Sequence, residues 1–172
     1  MTDAAPARLP ELIAEAIDEL QRHGARDEEL AEYMPGRRTL GIPRAPRMTR
    51  LGRVWRLGVL LLAADGRLFA TGRVVRAERP VRRSVIAEAV AEQRAYRAAA
   101  VKGGVAEGST VNFDARPIDL DEVARGEASG PLLLRDGAVL VRWNPSQPDV
   151  LMPLDRYLAD RVELLANPPS GT

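Results

Sequence analysis

The stretch Arg53-Val-Trp-Arg-Leu-Gly-Val-Leu-Leu-Leu-Ala-Ala-Asp-Gly-Arg-Leu-Phe-Ala-Thr-Gly-Arg-Val-Val-Arg76 reads as a β-hairpin. Two runs rich in Val, Leu and aromatic residues flank Ala64-Asp65-Gly66, and Asp-Gly readily supplies the positive φ angles of a tight turn. Trp55, Leu57, Val59 and Leu61 fall on one face of the first strand, Val54, Leu60 and Leu62 on the other. Both faces are apolar, so the strand is expected to be covered on both sides. The return strand is expected from Arg67 to Arg76, with Gly72 marking a bulge or a close approach.

Working outward toward the N-terminus, Leu12, Ile13, Ala16, Ile17 and Leu20 have the spacing of an amphipathic helix from Leu9 to His23. A second short helix is expected from Arg26 to Tyr33, stopped by Pro35-Gly36. Toward the C-terminus, Ser84 is suited to N-cap a helix reaching Val101, with Val90 and Tyr96 inward and Gly103-Gly104 ending it. Gly108 to Asp114 reads as a strand that puts Val111 and Phe113 together. Asp119-Leu-Asp-Glu122 has capping spacing for a single-turn helix. A second hairpin follows around Asp136-Gly137, then a short strand from Val150 to Met152 and an amphipathic helix from Pro153 through Leu154, Tyr157, Leu158 and Val162.

The fold class expected from these elements is α+β: a mainly antiparallel sheet built from two β-hairpins plus one or two strands. Helices 84–101 and 153–166 are expected to cover it. The division expected is an N-terminal helical arm over 1–36, a single α+β domain over 37–167 and a flexible tail over 168–172. Leu60, Leu62, Val74, Phe113 and Leu140 are expected in its core.

Composition narrows the function classes by subtraction. The chain has no cysteine, which removes disulfides, thiolate metal sites and Cys nucleophiles. Its one histidine, His23, falls in the last turn of a helix, where the helix dipole gives it a use without any catalytic partner. No phosphate loop, dinucleotide fingerprint, Gly-x-Ser-x-Gly or Ser-x-x-Lys appears, so no cofactor, metal or catalytic residue is expected. The opening Met-Thr-Asp-Ala-Ala-Pro has no basic and apolar leader pattern and no run approaches a membrane span, so a cytoplasmic protein is expected.

Charge is the informative property. The formal net charge is +1, yet residues 36–83 hold thirteen Arg against only Asp65 and Glu78, between two acidic blocks. Within that block Arg44, Arg47, Arg50, Arg53 and Arg56 recur every third residue, and Pro43 and Pro46 favour extended or polyproline II backbone, whose period is three. Together with Arg37 and Arg38 these guanidiniums are the candidate binding face. Arg forks take phosphates or carboxylates in bidentate fashion, so the partner expected is a polyanion or an acidic protein surface, with no membrane involved and a homo-oligomer left open. The competing expectation is that the same Arg residues pair with the acidic N-terminal segment.

Leu40-Gly-Ile-Pro-Arg-Ala-Pro-Arg47, Trp55-Arg-Leu-Gly-Val-Leu-Leu-Leu62 and Ile118-Asp-Leu-Asp-Glu-Val-Ala-Arg-Gly-Glu-Ala-Ser-Gly-Pro131 resemble a small group of uncharacterised actinobacterial proteins, some of which carry the label glutaminase. That resemblance implies an amide hydrolase as the alternative function. A non-catalytic binding or interaction protein using the Arg37 to Arg56 face is the reading the residues themselves favour.

Overall fold

The computed structural model describes residues 4–79 and 88–169. In chain order its elements are α1 (Ala4–Ala7), α2 (Leu9–Arg22), β1 (Glu28–Met34), β2 (Arg37–Thr39), β3 (Ile42–Arg44), β4 (Arg47–Leu57), β5 (Leu60–Ala63), β6 (Leu68–Ala70) and β7 (Arg73–Arg76). There follow α3 (Glu88–Lys102), β8 (Thr110–Phe113), β9 (Arg116–Pro117), α4 (Leu120–Ala124), β10 (Leu132–Arg135), β11 (Ala138–Arg142), β12 (Leu151–Pro153) and α5 (Leu154–Ala166). The protein is thus α+β, but the sheet differs from the expected one. It is a mixed sheet of seven strands ordered β7-β8-β1-β4-β5-β6-β9. The second hairpin is not part of it; β10, β11 and β12 form a separate three-stranded antiparallel sheet.

Two corrections explain the difference. Where a helix is expected from Arg26 to Tyr33, the structure has strand β1, paired antiparallel with β4 and parallel with β8. Glu28, Glu29, Leu30, Ala31 and Glu32 are acceptable helix formers locally, but ladder bonds on both sides and burial of Leu30 and Ala31 outweigh a propensity difference of a few tenths of a kcal/mol per residue. The long hairpin is also cut into shorter strands. A tight turn at Gly58-Val59 separates β4 from β5, and the return strand is interrupted at Thr71-Gly72. The Asp65-Gly66 turn holds, with Leu62 opposite Leu68 and Leu60 opposite Ala70.

Packing divides the chain into two compact units, each drawn from separate stretches of sequence. The first gathers residues 1–27, 55–71 and 116–172. Its core joins Leu9, Ile13, Ala16 and Leu20 of α2 to Leu57, Leu60 and Leu62, and to Leu154, Tyr157 and Leu158 of α5. The apolar face expected of helix α2 is buried in this core. Tyr157 closes the Gly58-Val59 turn: its hydroxyl donates to the Leu57 carbonyl and accepts from the Val59 N–H, both at 2.9 Å. Gly58 has φ +64°, and a Cβ there would lie 2.2 Å from that hydroxyl oxygen, so glycine is required twice over.

The second unit gathers residues 28–54 and 72–115. Met48, Val75, Ala99, Ala100, Val111 and Phe113 form its core. Phe113, Tyr33 and Tyr96 make an aromatic group with centroid separations of 4.9 to 6.3 Å. Helix α3 buries Ala99 and Ala100 against this core and packs Tyr96 beside them, and Gly103 just past its end abuts the Met48 carbonyl with no room for a Cβ. Val90, expected on the inward face of that helix, is 43% exposed. The expected N-cap Ser84 and the end of the expected tail, 170–172, lie outside the described residues. Of the expected core, Leu60, Leu62 and Phe113 are fully buried, Leu140 is half-buried and Val74 is 46% exposed. Val74 falls on the outward side of β7, one residue out of phase with the buried Val75.

Candidate functional site

Seven arginines between Arg37 and Arg56 were the candidate face, and the structure divides them. Arg50 and Arg53 converge on Glu29 of β1, which is only 5% exposed. Arg50 makes a two-pronged contact, Nε to Oε2 at 3.1 Å and Nη2 to Oε1 at 3.0 Å, while Arg53 Nη1 donates to Oε1 at 2.7 Å. A β-bulge brings this about. Leu30 pairs with Gly52 but Ala31 pairs with Arg50, so Leu51 is left over in β4. The extra residue puts Arg50 and Arg53, three apart in sequence, on the face that carries Glu29 and Ala31. The period of three, for which extended or polyproline II backbone is expected, is here carried by an extended strand with a bulge. Arg56 is half-buried and is not free either.

Arg37, Arg38, Arg44 and Arg47 remain, all exposed and without a carboxylate partner among the described residues. Strands β2 and β3 form a small hairpin in which Arg37 stands opposite Arg44 and Arg38 opposite Pro43. Opposed residues share a face, so Arg37 and Arg44 lie together and Arg38 does not join them. Gly36 lets the chain leave β1 against this hairpin, since a Cβ there would sit 3.0 Å from the Arg44 carbonyl and 3.2 Å from Pro46. The result is a pocket of about 420 Å³ lined by Met34, Pro35, Arg37, Pro43, Arg44, Ala45, Arg47 and Lys102. Every charged group lining it is a cation.

Lys102, the chain's only lysine, was not selected from the sequence. It comes from the last turn of α3, far from the Arg block, and only the tertiary fold brings it there. The one available signal was its singularity in a chain that otherwise uses arginine for every basic position.

Other polar groups of the second unit have structural employment. Asn112, fully buried, donates to Glu28 Oε2 at 2.7 Å and to the Glu29 carbonyl at 3.3 Å. Tyr96 donates to Glu92, and that hydrogen bond raises the Tyr96 pKa and lowers that of Glu92. Arg73 bonds both groups and lies 5.3 Å from the Tyr96 ring centre, fastening α3 to β7.

In the first unit a broad groove of about 1100 Å³ runs between α2, the Asp65-Gly66 turn and α4. Ile13, Ile17, Leu68, Phe69 and Ile118 line it, and Asp18, Asp65, Asp119, Asp121 and Glu122 edge it. Asp65 is held below the usual carboxylate range, chiefly by the Arg67 N–H, and pairs with the Arg67 side chain at 2.8 Å. Asp119 caps α4 as expected, accepting from the N–H groups of Asp121 and Glu122. Ser129, buried at the groove, accepts from the Asp119 N–H at 2.9 Å. His23 caps α2, its Nδ1 3.0 Å from the Glu19 carbonyl oxygen.

Among the described residues no group of three or more His, Cys, Asp or Glu is placed to hold a metal ion, and no helix is long and apolar enough to cross a membrane. The fold and site together define an α+β protein with a cationic pocket and a separate acidic groove. Compared with family models, with curated proteins and with solved structures, the chain matches none.

Proposed function

We propose that this protein is a non-catalytic binding protein, cytoplasmic in setting, whose Arg37, Arg44, Arg47 and Lys102 pocket holds a phosphate-bearing anion. The observation that carries this reading is the sorting of the arginines. Arg50 and Arg53 are neutralised by a buried glutamate, whereas Arg37, Arg44 and Arg47, with no carboxylate partner among the described residues, line one concavity with the single lysine and with no acid. Like charges gathered without counter-charge repel one another, so a bound anion is favoured there by the summed attraction of all four groups. Guanidinium forks supply directional hydrogen bonds to phosphate oxygens and the ammonium supplies a mobile point charge. An extended polyanion or an acidic protein segment presents the same chemistry on a larger scale, and the pocket dimensions favour the smaller ligand. Amide hydrolysis requires a nucleophile with a base in reach, and the arrangement of Ser129 as acceptor for the α4 cap gives that alternative no support.

Calorimetric titration with inorganic pyrophosphate, at low salt and at about 0.15 M where the Debye length is about 8 Å, tests the proposal. Saturable binding to the wild type that persists at the higher salt and is lost in Arg44→Ala/Arg47→Ala supports it. Equal binding by both proteins, or none by either at low salt, refutes it.

A further inference from the structure

The hairpin that supplies Arg37 and Arg44 ends in a feature that anion binding does not use. Its turn is Leu40-Gly41, both residues at positive φ, +52° and +79°. Such a turn favours Asn or Asp before Gly, so a leucine there sits in a backbone conformation unfavourable to it. Leu40 is 97% exposed and Ile42, next to it on the return strand, is 66% exposed. Neither residue lines the basic pocket. The tip is therefore apolar where folding asks for polar, with Arg37, Arg38 and Arg44 just behind it.

The groove of the first unit has the complementary character. Its walls are largely aliphatic and aromatic; its one lining cation, Arg67, is paired with Asp65, and Asp18, Asp119, Asp121 and Glu122 along it have no cation paired to them among the described residues. We infer that the hairpin tip of one copy docks into this groove on a second copy, Leu40 and Ile42 entering the apolar channel and the Arg side chains behind them meeting the acidic edge. The chemistry of the occupant is read from both partners at once: an apolar wedge with basic shoulders fits an apolar channel with acidic shoulders. The contact is heterologous, one surface of the first copy against a different surface of the next. It goes beyond the anion-binding reading and separates from it, because the tip residues lie outside the pocket.

Sedimentation of the full chain over a concentration series tests this. The variant Leu40→Asn/Ile42→Thr restores the residue the turn favours, so it keeps the hairpin while removing the wedge. A second variant, Asp18→Lys/Asp121→Lys, reverses the groove edge while leaving the Asp119 cap intact. The wild type is expected to self-associate reversibly, and each variant alone to show a dissociation constant raised at least about tenfold. A mixture of the two variants is expected to recover association, because one brings an intact groove and the other an intact tip. Pyrophosphate binding by the tip variant is expected to be unchanged, so failure of this inference and failure of the anion-binding reading give different results. A wild type that stays monomeric throughout, a tip variant that associates normally, or a mixture that fails to recover would each overturn the inference. Binding of anionic lipid vesicles through Leu40 by a monomeric protein would overturn it in favour of a membrane as occupant.

Discussion

Glu29→Ala probes the division of the arginines most sharply. Glu29 accepts three charge-assisted hydrogen bonds, at 3.1, 3.0 and 2.7 Å, from Arg50 and Arg53. Bonds of this kind are worth about 1.5 to 3 kcal/mol each when buried, but both guanidiniums are half-exposed and water resolvates them once the carboxylate is gone, so the total loss is about 2 kcal/mol. Arg50→Ala removes the two-pronged contact and leaves Glu29 its Arg53 bond, a loss of about 1 kcal/mol. Arg44→Ala removes no partner and is expected to stay within about 0.5 kcal/mol. The coupling energy between Glu29 and Arg50, from the double variant, is expected near 1 kcal/mol because the two are in direct contact. Urea denaturation reads all of this as shifts of the midpoint at constant slope. If Arg44→Ala destabilises as much as Arg50→Ala, or the coupling is absent, then the sorting of paired from unpaired arginines is wrong and the reasoning built on it falls.

Further outcomes follow from the cores and from the turn that Tyr157 closes. Leu60→Ala, at a fully buried site, should lose about 2 to 5 kcal/mol, whereas Val74→Ala, half in water, should lose well under 1 kcal/mol in the same denaturation assay. Tyr157→Phe should lose about 1 to 3 kcal/mol by stranding the Leu57 carbonyl and the Val59 N–H. Gly58→Ala should unfold at markedly lower urea than the wild type, since it adds an unfavourable φ to a clash. Burial raises the Tyr157 pKa above its ordinary value of 10.0, so this residue's contribution is complete below pH 10 and is lost as pH climbs through the raised folded-state value. Stability measured from pH 9 to 11 should therefore fall less steeply in Tyr157→Phe than in the wild type. Purified protein incubated with glutamine should release no ammonia above a buffer blank; saturable release that survives repurification would favour the hydrolase alternative.

How much of this could be read from the chain depends on how local each cause is. Helices α2 and α5 were legible because their apolar residues repeat at helical spacing, and the turns at Asp65-Gly66 and Asp136-Gly137 because the residues themselves specify the dihedral angles. Strand β1 was not legible. Its residues tolerate a helix, and what makes them a strand is the pairing with β4 and with β8, a parallel partner some eighty residues on. The Arg periodicity and an extended backbone were readable, but the bulge at Leu51 that turns Arg50 and Arg53 to one face was not, because it leaves no mark in composition. The pocket shows both limits together: Arg37, Arg44 and Arg47 were named in advance, while Lys102 needed the fold.

The most direct test of the central claim is whether the basic site is a pocket or a diffuse field. Lys102→Ala changes a residue remote in sequence that lines the pocket, and Arg38→Ala changes one inside the Arg block that does not line it. Each removes one positive charge. With pyrophosphate as probe, the account predicts that Lys102→Ala weakens binding at least about tenfold and that Arg38→Ala retains affinity within about twofold, a change of about 0.4 kcal/mol. Equal weakening by Arg38→Ala and Lys102→Ala would contradict it, because only the summed charge, and no particular site, would then be holding the anion.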